Sequence, residues 1–169
     1  MIMDVHKILI PIDHSDDSHQ ALLWGASLGE KYGAEILLLH VLSKSVEEVY
    51  PPGESAWANA PASYYEGMSP GSQPFSGQPI IIDLTEKASA ELHDLVAKHL
   101  QGPVSPRVKV TVGKPPEEIL RVAREEVAEL IVMGTHGRTG LRHLLLGSVA
   151  EEVMRRAPCP VFTVRVGEE

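Results

Sequence analysis

The sequence predicts an α/β fold: a single doubly wound domain built on a five-stranded parallel sheet with helices on both faces. Three observations predict it. Short apolar runs alternate along the chain with segments whose apolar residues recur at helical spacing. The runs are near-continuous rather than alternating, as expected for strands buried on both faces. Right-handed crossovers between such strands then place helices on both sides of one sheet.

Lys7 to Ile12 is the first apolar run, and it ends at Asp13. The segment from about Asp16 to Tyr32 carries Ala21, Gly25, Leu28, Gly29 and Tyr32 at helical spacing, with Ser15 or Asp16 able to cap its first turn and Gly33 to stop it. Ile36 to Leu42 reads as the second strand. From about Ser43 to Pro79 the pattern breaks, with Pro51, Pro52, Pro61, Pro70, Pro74 and Pro79 set among glycine and serine, so a Pro/Gly-rich insertion at about 43–79 is expected. Loops of this length are either functional lids or disordered linkers. Trp57, Tyr64, Tyr65 and Phe75 favour partial order.

Regular structure is expected to resume at Ile80, where Leu84, Ala88, Leu92, Leu95, Val96 and His99 mark an amphipathic helix ending near Gly102. Val108 to Val112 reads as a short strand. The turn Gly113-Lys-Pro-Pro leads into a helix to about Val127, because proline is tolerated in a first turn and Glu117 and Glu118 complement the dipole there. Glu129 to Met133 is the fourth strand. A glycine-rich loop and a short helix follow, and Cys159 to Arg165 is the fifth strand.

Composition narrows the function classes. The 169 residues suit one domain, at 43% hydrophobic and 22% charged. Fifteen lysines and arginines stand against 23 aspartates and glutamates, and the net charge of −8 argues against coating nucleic acid. A single cysteine, Cys159, excludes an internal disulfide framework and fits a reducing compartment. The N-terminus lacks the long apolar segment of a secretory signal, and no stretch approaches the roughly 20 apolar residues of a membrane helix, so a cytoplasmic protein is expected. The eight histidines show no compact metal spacing on one helix, which speaks against zinc.

Ligands of such sheets bind beyond the strand C-termini, where the strand order reverses. Asp13, Val41 and Gly134 fall there. After the fourth strand come Gly134-Thr-His-Gly137-Arg138 and then Gly147-Ser148 opening a helix. The glycines let the backbone approach a ligand, and the amides of Gly147, Ser148 and Val149 would form an anion site at the helix start. Arg138, Arg142 and His143 add local positive charge. On the plainer reading, Ser148 and Glu151 form an S-x-x-E capping box and nothing more. Asp13 is either a solvated turn residue or a partner for ribose hydroxyls or, through water, for a divalent cation. No G-x-x-x-x-G-K-[ST] loop is present, and no G-x-G-x-x-G follows the first strand.

These residues resemble the universal stress protein family, in its ATP-binding branch, whose signature is G-x2-G-x9-G-[ST]. Gly134, Gly137, Gly147 and Ser148 meet that spacing. Pro11-Ile-Asp13-x-Ser15, Leu39-His40-Val41, Gly113-Lys-Pro115 and Pro158-Cys-Pro-Val161 extend the resemblance over nearly the whole chain outside the insertion. It implies a Rossmann-like sheet of the adenine nucleotide alpha hydrolase-like type, in strand order 3-2-1-4-5. It also implies that Pro11, Ile12 and Asp13 line an adenosine site, that Val41 contacts adenine through its backbone and that Met133 packs near the base or ribose. Gly134, His136, Gly137 and Arg138 would surround ribose and phosphates, and Gly147, Ser148 and Val149 would hold the phosphate tail of ATP or AMP. A bridging Mg²⁺ or Mn²⁺ and a homodimer through the last strand, about Val161 to Val166, are further implications. An apolar edge strand needs such protection.

The leading expectation is an ATP-binding stress-response switch with at most slow hydrolysis, since no general base aligned with a water nucleophile is recognisable. The competing readings are a metal-dependent hydrolase using Asp13 and Arg138, an AMP or cyclic AMP sensor, and a nucleotide-free interaction module. Adenylation chemistry is disfavoured, because Pro11-Ile-Asp-His-Ser15 stands where related ATP pyrophosphatases carry S-G-G-x-[DS]. His40 is expected to pack or hydrogen-bond near the pocket. Cys159 is expected to be a small buried residue.

Overall fold

The computed structural model describes residues 4–43, 78–100, 105–137 and 146–166. Its elements are β1 (Lys7–Pro11), α1 (Asp16–Tyr32), β2 (Glu35–Leu42), α2 (Gln78–His99), β3 (Arg107–Val112), α3 (Pro115–Glu125), β4 (Leu130–Gly134), α4 (Ser148–Arg156) and β5 (Val161–Val164). The predicted insertion falls almost wholly outside the described residues, as do Arg138, Arg142 and His143.

The five strands form one sheet in the order β3-β2-β1-β4-β5, every neighbouring pair parallel. The strand side-chain period of two explains why both faces are covered. Ile8 and Ile10 of β1, with Ile36 and Leu38 of β2, pack against Ala21, Leu22 and Ala26 of α1 and Leu92 and Leu95 of α2. Leu9, Leu37, Leu39, Ile131 and Met133 point the other way, onto Ile119, Val122 and Ala123 of α3 and Ala150 and Val153 of α4. The chain steps outward from β1 to β2 and β3, then returns to the far side of β1 as β4. The order therefore reverses between β1 and β4, which opens a crevice at their C-terminal ends.

The helix signals resolve into specific caps. Ser15, not Asp16, caps α1, its side chain accepting from the Ser18 N–H. Gly33 ends that helix in the left-handed region at φ 65°. Helix α3 stops at Glu125, short of the expected Val127. Val127 occupies the left-handed capping position (φ 53°), with Ala128 N–H donating to Ala123 O at 2.9 Å and Val127 N–H to Arg124 O at 3.2 Å. This is a Schellman end whose usual glycine is a valine, so the sequence carries no stop signal there.

At the opposite, N-terminal end of the sheet, Glu126 ties β1 and β3 together through three basic side chains. Its carboxylate meets Arg107 at 2.5 Å, Lys109 at 3.0 Å and Lys7 at 3.7 Å. The bonds from Arg107 and Lys109 hold it down to about 2.

Candidate functional site

A cleft of about 130 Å³ opens at the C-terminal ends of β1, β2 and β4. Nine of the residues singled out in the sequence line it: Pro11, Ile12, Asp13, Val41, Met133, Gly134, His136, Gly137 and Val149. Gly147 and Ser148 stand beside Val149 at the start of α4 but do not line the cleft. Ser18, Leu39, Pro115, Ile119, Thr135 and Ala150 also line it and were not picked out from sequence. Pro115 belongs to the Gly113-Lys-Pro turn and Thr135 lies inside the G-x2-G run, so both could have been found. Leu39, in the Leu39-His40-Val41 stretch, could have been found as well, whereas Ile119 reads only as a core residue.

The Asp13 carboxylate is pinned by its own turn. Its Oδ1 accepts the Ser15 N–H at 3.0 Å and the Ser15 hydroxyl, and that hydroxyl lies 3.3 Å from the His136 carbonyl. His14 between them adopts the left-handed conformation, φ 65°. The turn thereby ties the end of β1 to the loop after β4. His40 is buried, and its Nδ1 lies 2.7 Å from the Ile12 carbonyl, which stiffens the same strand end from the β2 side.

The glycines act by close approach rather than by unusual angles. Among the described glycines only Gly33 and Gly113 have positive φ, so Gly134, Gly137 and Gly147 hold no left-handed angle. A β-carbon on Gly137 would sit 2.7 Å from Asp13 Oδ2, and one on Gly134 would sit 2.8 Å from Asp17 Cβ and 2.9 Å from its carbonyl carbon. Gly134 is therefore required by packing against α1, and Gly137 by contact with the Asp13 carboxylate.

At the start of α4 the plainer capping-box reading fails, and one donor of the expected anion site is already engaged. Gly147 is the N-cap of α4, the helix has no side-chain cap, and Ser148 is its first helical residue, so the S-x-x-E capping box does not form. The Gly147 N–H is already committed to the Thr135 carbonyl at 2.8 Å. The first donor inside the helix ladder is Glu151, to Gly147 O at 2.9 Å. The amides of Ser148, Val149 and Ala150 precede that ladder and have no partner in it, at the positive end of the helix dipole.

Behind the cleft lies a carboxylate that sequence reading missed. Asp17, in the first turn of α1, is 9% exposed. Its Oδ2 accepts the Thr135 hydroxyl at 2.8 Å and the His136 N–H at 3.0 Å, with His136 Nδ1 at 3.3 Å, and its Oδ1 accepts the Val166 N–H at 3.0 Å. Burial opposes its charge. The bonds from Val166, Thr135 and His136 outweigh that opposition and hold the carboxyl below its ordinary 3.8. Cys159 is half-buried rather than buried, and desolvation pushes its thiol above the ordinary 9.0, which keeps it protonated. Among the described residues no group of three or more His, Cys, Asp or Glu side chains could hold a metal ion, and no helix is long and apolar enough to cross a membrane.

Comparison with known proteins places this arrangement. Residues 4–165 match the model of the universal stress protein family. The chain is 32% identical over 160 residues to universal stress protein MJ0531 of Methanocaldococcus jannaschii, covering 94% of this chain and 81% of that one. To MJ0577 of the same organism it is 32% identical over 161 residues, covering 94% of each. The solved structure of MJ0577 superposes with a TM-score of 0.73 at 27% identity, over 99% of this chain and all of that one. A universal stress protein from Archaeoglobus fulgidus in complex with dAMP matches at TM-score 0.58 and 19% identity, over 96% and 99% of the two chains. A universal stress protein solved in complex with cAMP matches at TM-score 0.57 and 19% identity, over 96% and 98% of the two chains. With the family pattern matched from β1 to β5 and the sheet order shared, this chain belongs to the universal stress protein family.

Proposed function

We propose that the cleft binds an adenine nucleotide, ATP in the leading reading, and that the protein acts as a nucleotide-dependent switch or regulator in a stress response. One observation carries this reading: Asp13 beyond the end of β1, Val41 near the end of β2 and Val149 and Ala150 in the first turn of α4 border a single cleft at the point where the strand order reverses. Adenine fits against Val41 and Met133, and ribose fits near Asp13 and the Gly134–Gly137 turn. The phosphates run toward Ser148, Val149 and the Gly147 backbone, with Arg138 in the same loop. The donor set around Asp13 suits a single water-mediated contact to Mg²⁺ or Mn²⁺ carried in on the phosphates, rather than a resident ion held by the protein.

The reading treats the chain as one domain with an insertion at about 43–79, working in the cytoplasm. It makes the protein a homodimer joined through Val161 to Val166. Supporting that, β5 is an edge strand, Phe162 and Val166 are 41% and 38% exposed, and Trp24 extends the apolar surface with its ring 6.0 Å from that of Phe162. Hydrolysis is at most slow in this reading, because Asp13 is the carboxylate that lines the cleft among the described residues and its Oδ1 is already engaged by Ser15.

A second reading, an AMP or cAMP sensor, is favoured by the two relatives solved with dAMP and cAMP. Denaturing freshly purified protein and identifying the released nucleotide by chromatography and mass spectrometry separates the two. ATP near one per chain supports the first reading, AMP or cAMP the second. A protein that carries no nucleotide and takes up none of the three on titration contradicts both.

A further inference from the structure

We propose that Asp17 is a positioning residue that couples the cleft to the edge strand β5, so that nucleotide binding and ordering of the end of that strand stabilise each other. The proposal rests on the nucleotide reading of the cleft and adds a route out of it.

The argument starts from the two oxygens of one buried carboxylate. Oδ2 holds the Thr135–His136 turn, both of whose residues line the cleft. Oδ1 holds the Val166 N–H, two residues beyond the last residue of β5. The carboxylate stands on the rigid first turn of α1, whose neighbour Ser15 is bonded to Asp13 on the other wall of the cleft. Thr135 extends the connection. Its carbonyl accepts the Gly147 N–H at 2.8 Å, which fixes the start of α4, and its own N–H donates to Val164 O at 2.9 Å. A ligand that draws the α4 start or the His136 turn toward itself therefore acts on groups bonded to the same carboxylate as Val166.

The chemistry of a carboxylate is what makes this possible. Both oxygens accept, so one side chain can serve donors arriving from two segments. An asparagine offers one acceptor and one donor, and its NH₂ would face either the Val166 N–H or the Thr135 and His136 donors. Asp17→Asn therefore keeps the shape and breaks one arm. Asp17 also lies outside the cleft lining, so it does not act by touching the nucleotide.

The test is amide hydrogen exchange at Val166 and His136 in the full-length protein at neutral pH, with and without saturating ATP and Mg²⁺, for the wild type and Asp17→Asn. Thermal unfolding checks that the variant is folded, and direct titration checks that it is saturated. In the wild type, nucleotide is expected to slow exchange at Val166 about fivefold or more, a typical allosteric coupling. In Asp17→Asn, ATP is expected to bind about fivefold to tenfold more weakly and to leave Val166 exchange unchanged, by the reciprocity of linked equilibria. A merely structural Asp17 would leave the response to ATP in place. An undiminished response in the variant, carried by the β4–β5 ladder alone, would overturn the proposal, as would an unresponsive Val166 in ATP-bound wild type. The samples without ligand separate this from failure of the nucleotide reading. Asp17→Asn is expected to accelerate exchange at whichever of Val166 and His136 faces its NH₂ even if the wild type binds no ATP, whereas unchanged exchange at both shows that the carboxylate does not hold the two segments.

Discussion

Asp13 and Asp17 stand four positions apart and do different things. Asp13 faces the cleft and is braced by Ser15, while Asp17 is buried behind it and charged. The contact between Asp13 and Gly137 yields one prediction. Gly137→Ala puts a methyl 2.7 Å from the Asp13 Oδ2 position and must push the carboxylate aside. Affinity for ATP with Mg²⁺, measured by calorimetry, should fall about tenfold while the unfolding free energy changes by less than about 0.5 kcal/mol, because Gly137 is exposed. Asp17 yields another. Asp17→Asn should destabilise the protein by about 2 kcal/mol at neutral pH in urea unfolding, from the loss of buried hydrogen bonds to a charge. Because the folded carboxyl lies below its ordinary 3.8, the contribution is fully present above that pH and is lost as the pH falls through the lowered value. The gap between wild type and variant should therefore close below about pH 3.8. Asp13 was legible in the sequence because it ends an apolar run. Asp17 was not, because an aspartate in a first turn reads as a dipole partner in solvent, and Asp16 beside it is indeed exposed.

Among the elements, those with strong punctuation were read to within a residue or two, as α1 shows between Ser15 and Gly33. Where punctuation was missing the boundary slipped, and Val127 at the end of α3 is the clearest case. A β-branched residue in the left-handed region is strained, and Val127 is 72% exposed, so its side chain packs little. Val127→Gly should raise the unfolding free energy by about 1 kcal/mol, with the relief of strain outweighing the added flexibility of the unfolded chain. Next to it, Glu126 is held at about 2 by Arg107 and Lys109. Its support is present above the ordinary value of 4.5 and is lost as the pH falls toward about 2. The network lies near the surface and solvent screens it, so Glu126→Gln should destabilise by only about 1 kcal/mol at neutral pH, measured by urea unfolding. At the start of α4 the capping-box alternative fails for a chemical reason. Gly147 can occupy the cap position without a side chain, and serine then becomes the first helical residue.

For the whole molecule, the alternation of apolar runs and helical periods was enough to read a parallel sheet wrapped on both faces, because strands buried on both sides leave no polar alternation. The order 3-2-1-4-5 came with the family resemblance, and the sheet has it. The cleft follows from that order, which is why nine of the twelve candidate residues line it although they come from distant parts of the chain. What periodicity could not show is how the loop after β4 is tied down, since Thr135, Asp17 and Val166 meet only in three dimensions. At this scale the account also predicts assembly. Phe162→Glu on the edge strand should weaken self-association at least about tenfold in sedimentation equilibrium, as expected for an aromatic residue at an interface.

The central claim is that the crevice between β1 and β4 is a nucleotide site, and calorimetric titration of nucleotide-stripped protein with ATP and Mg²⁺ tests it most directly. The account predicts saturable binding of one nucleotide per chain, weakened in Gly137→Ala. No saturable heat from ATP, AMP or cAMP in a folded wild-type protein would contradict it.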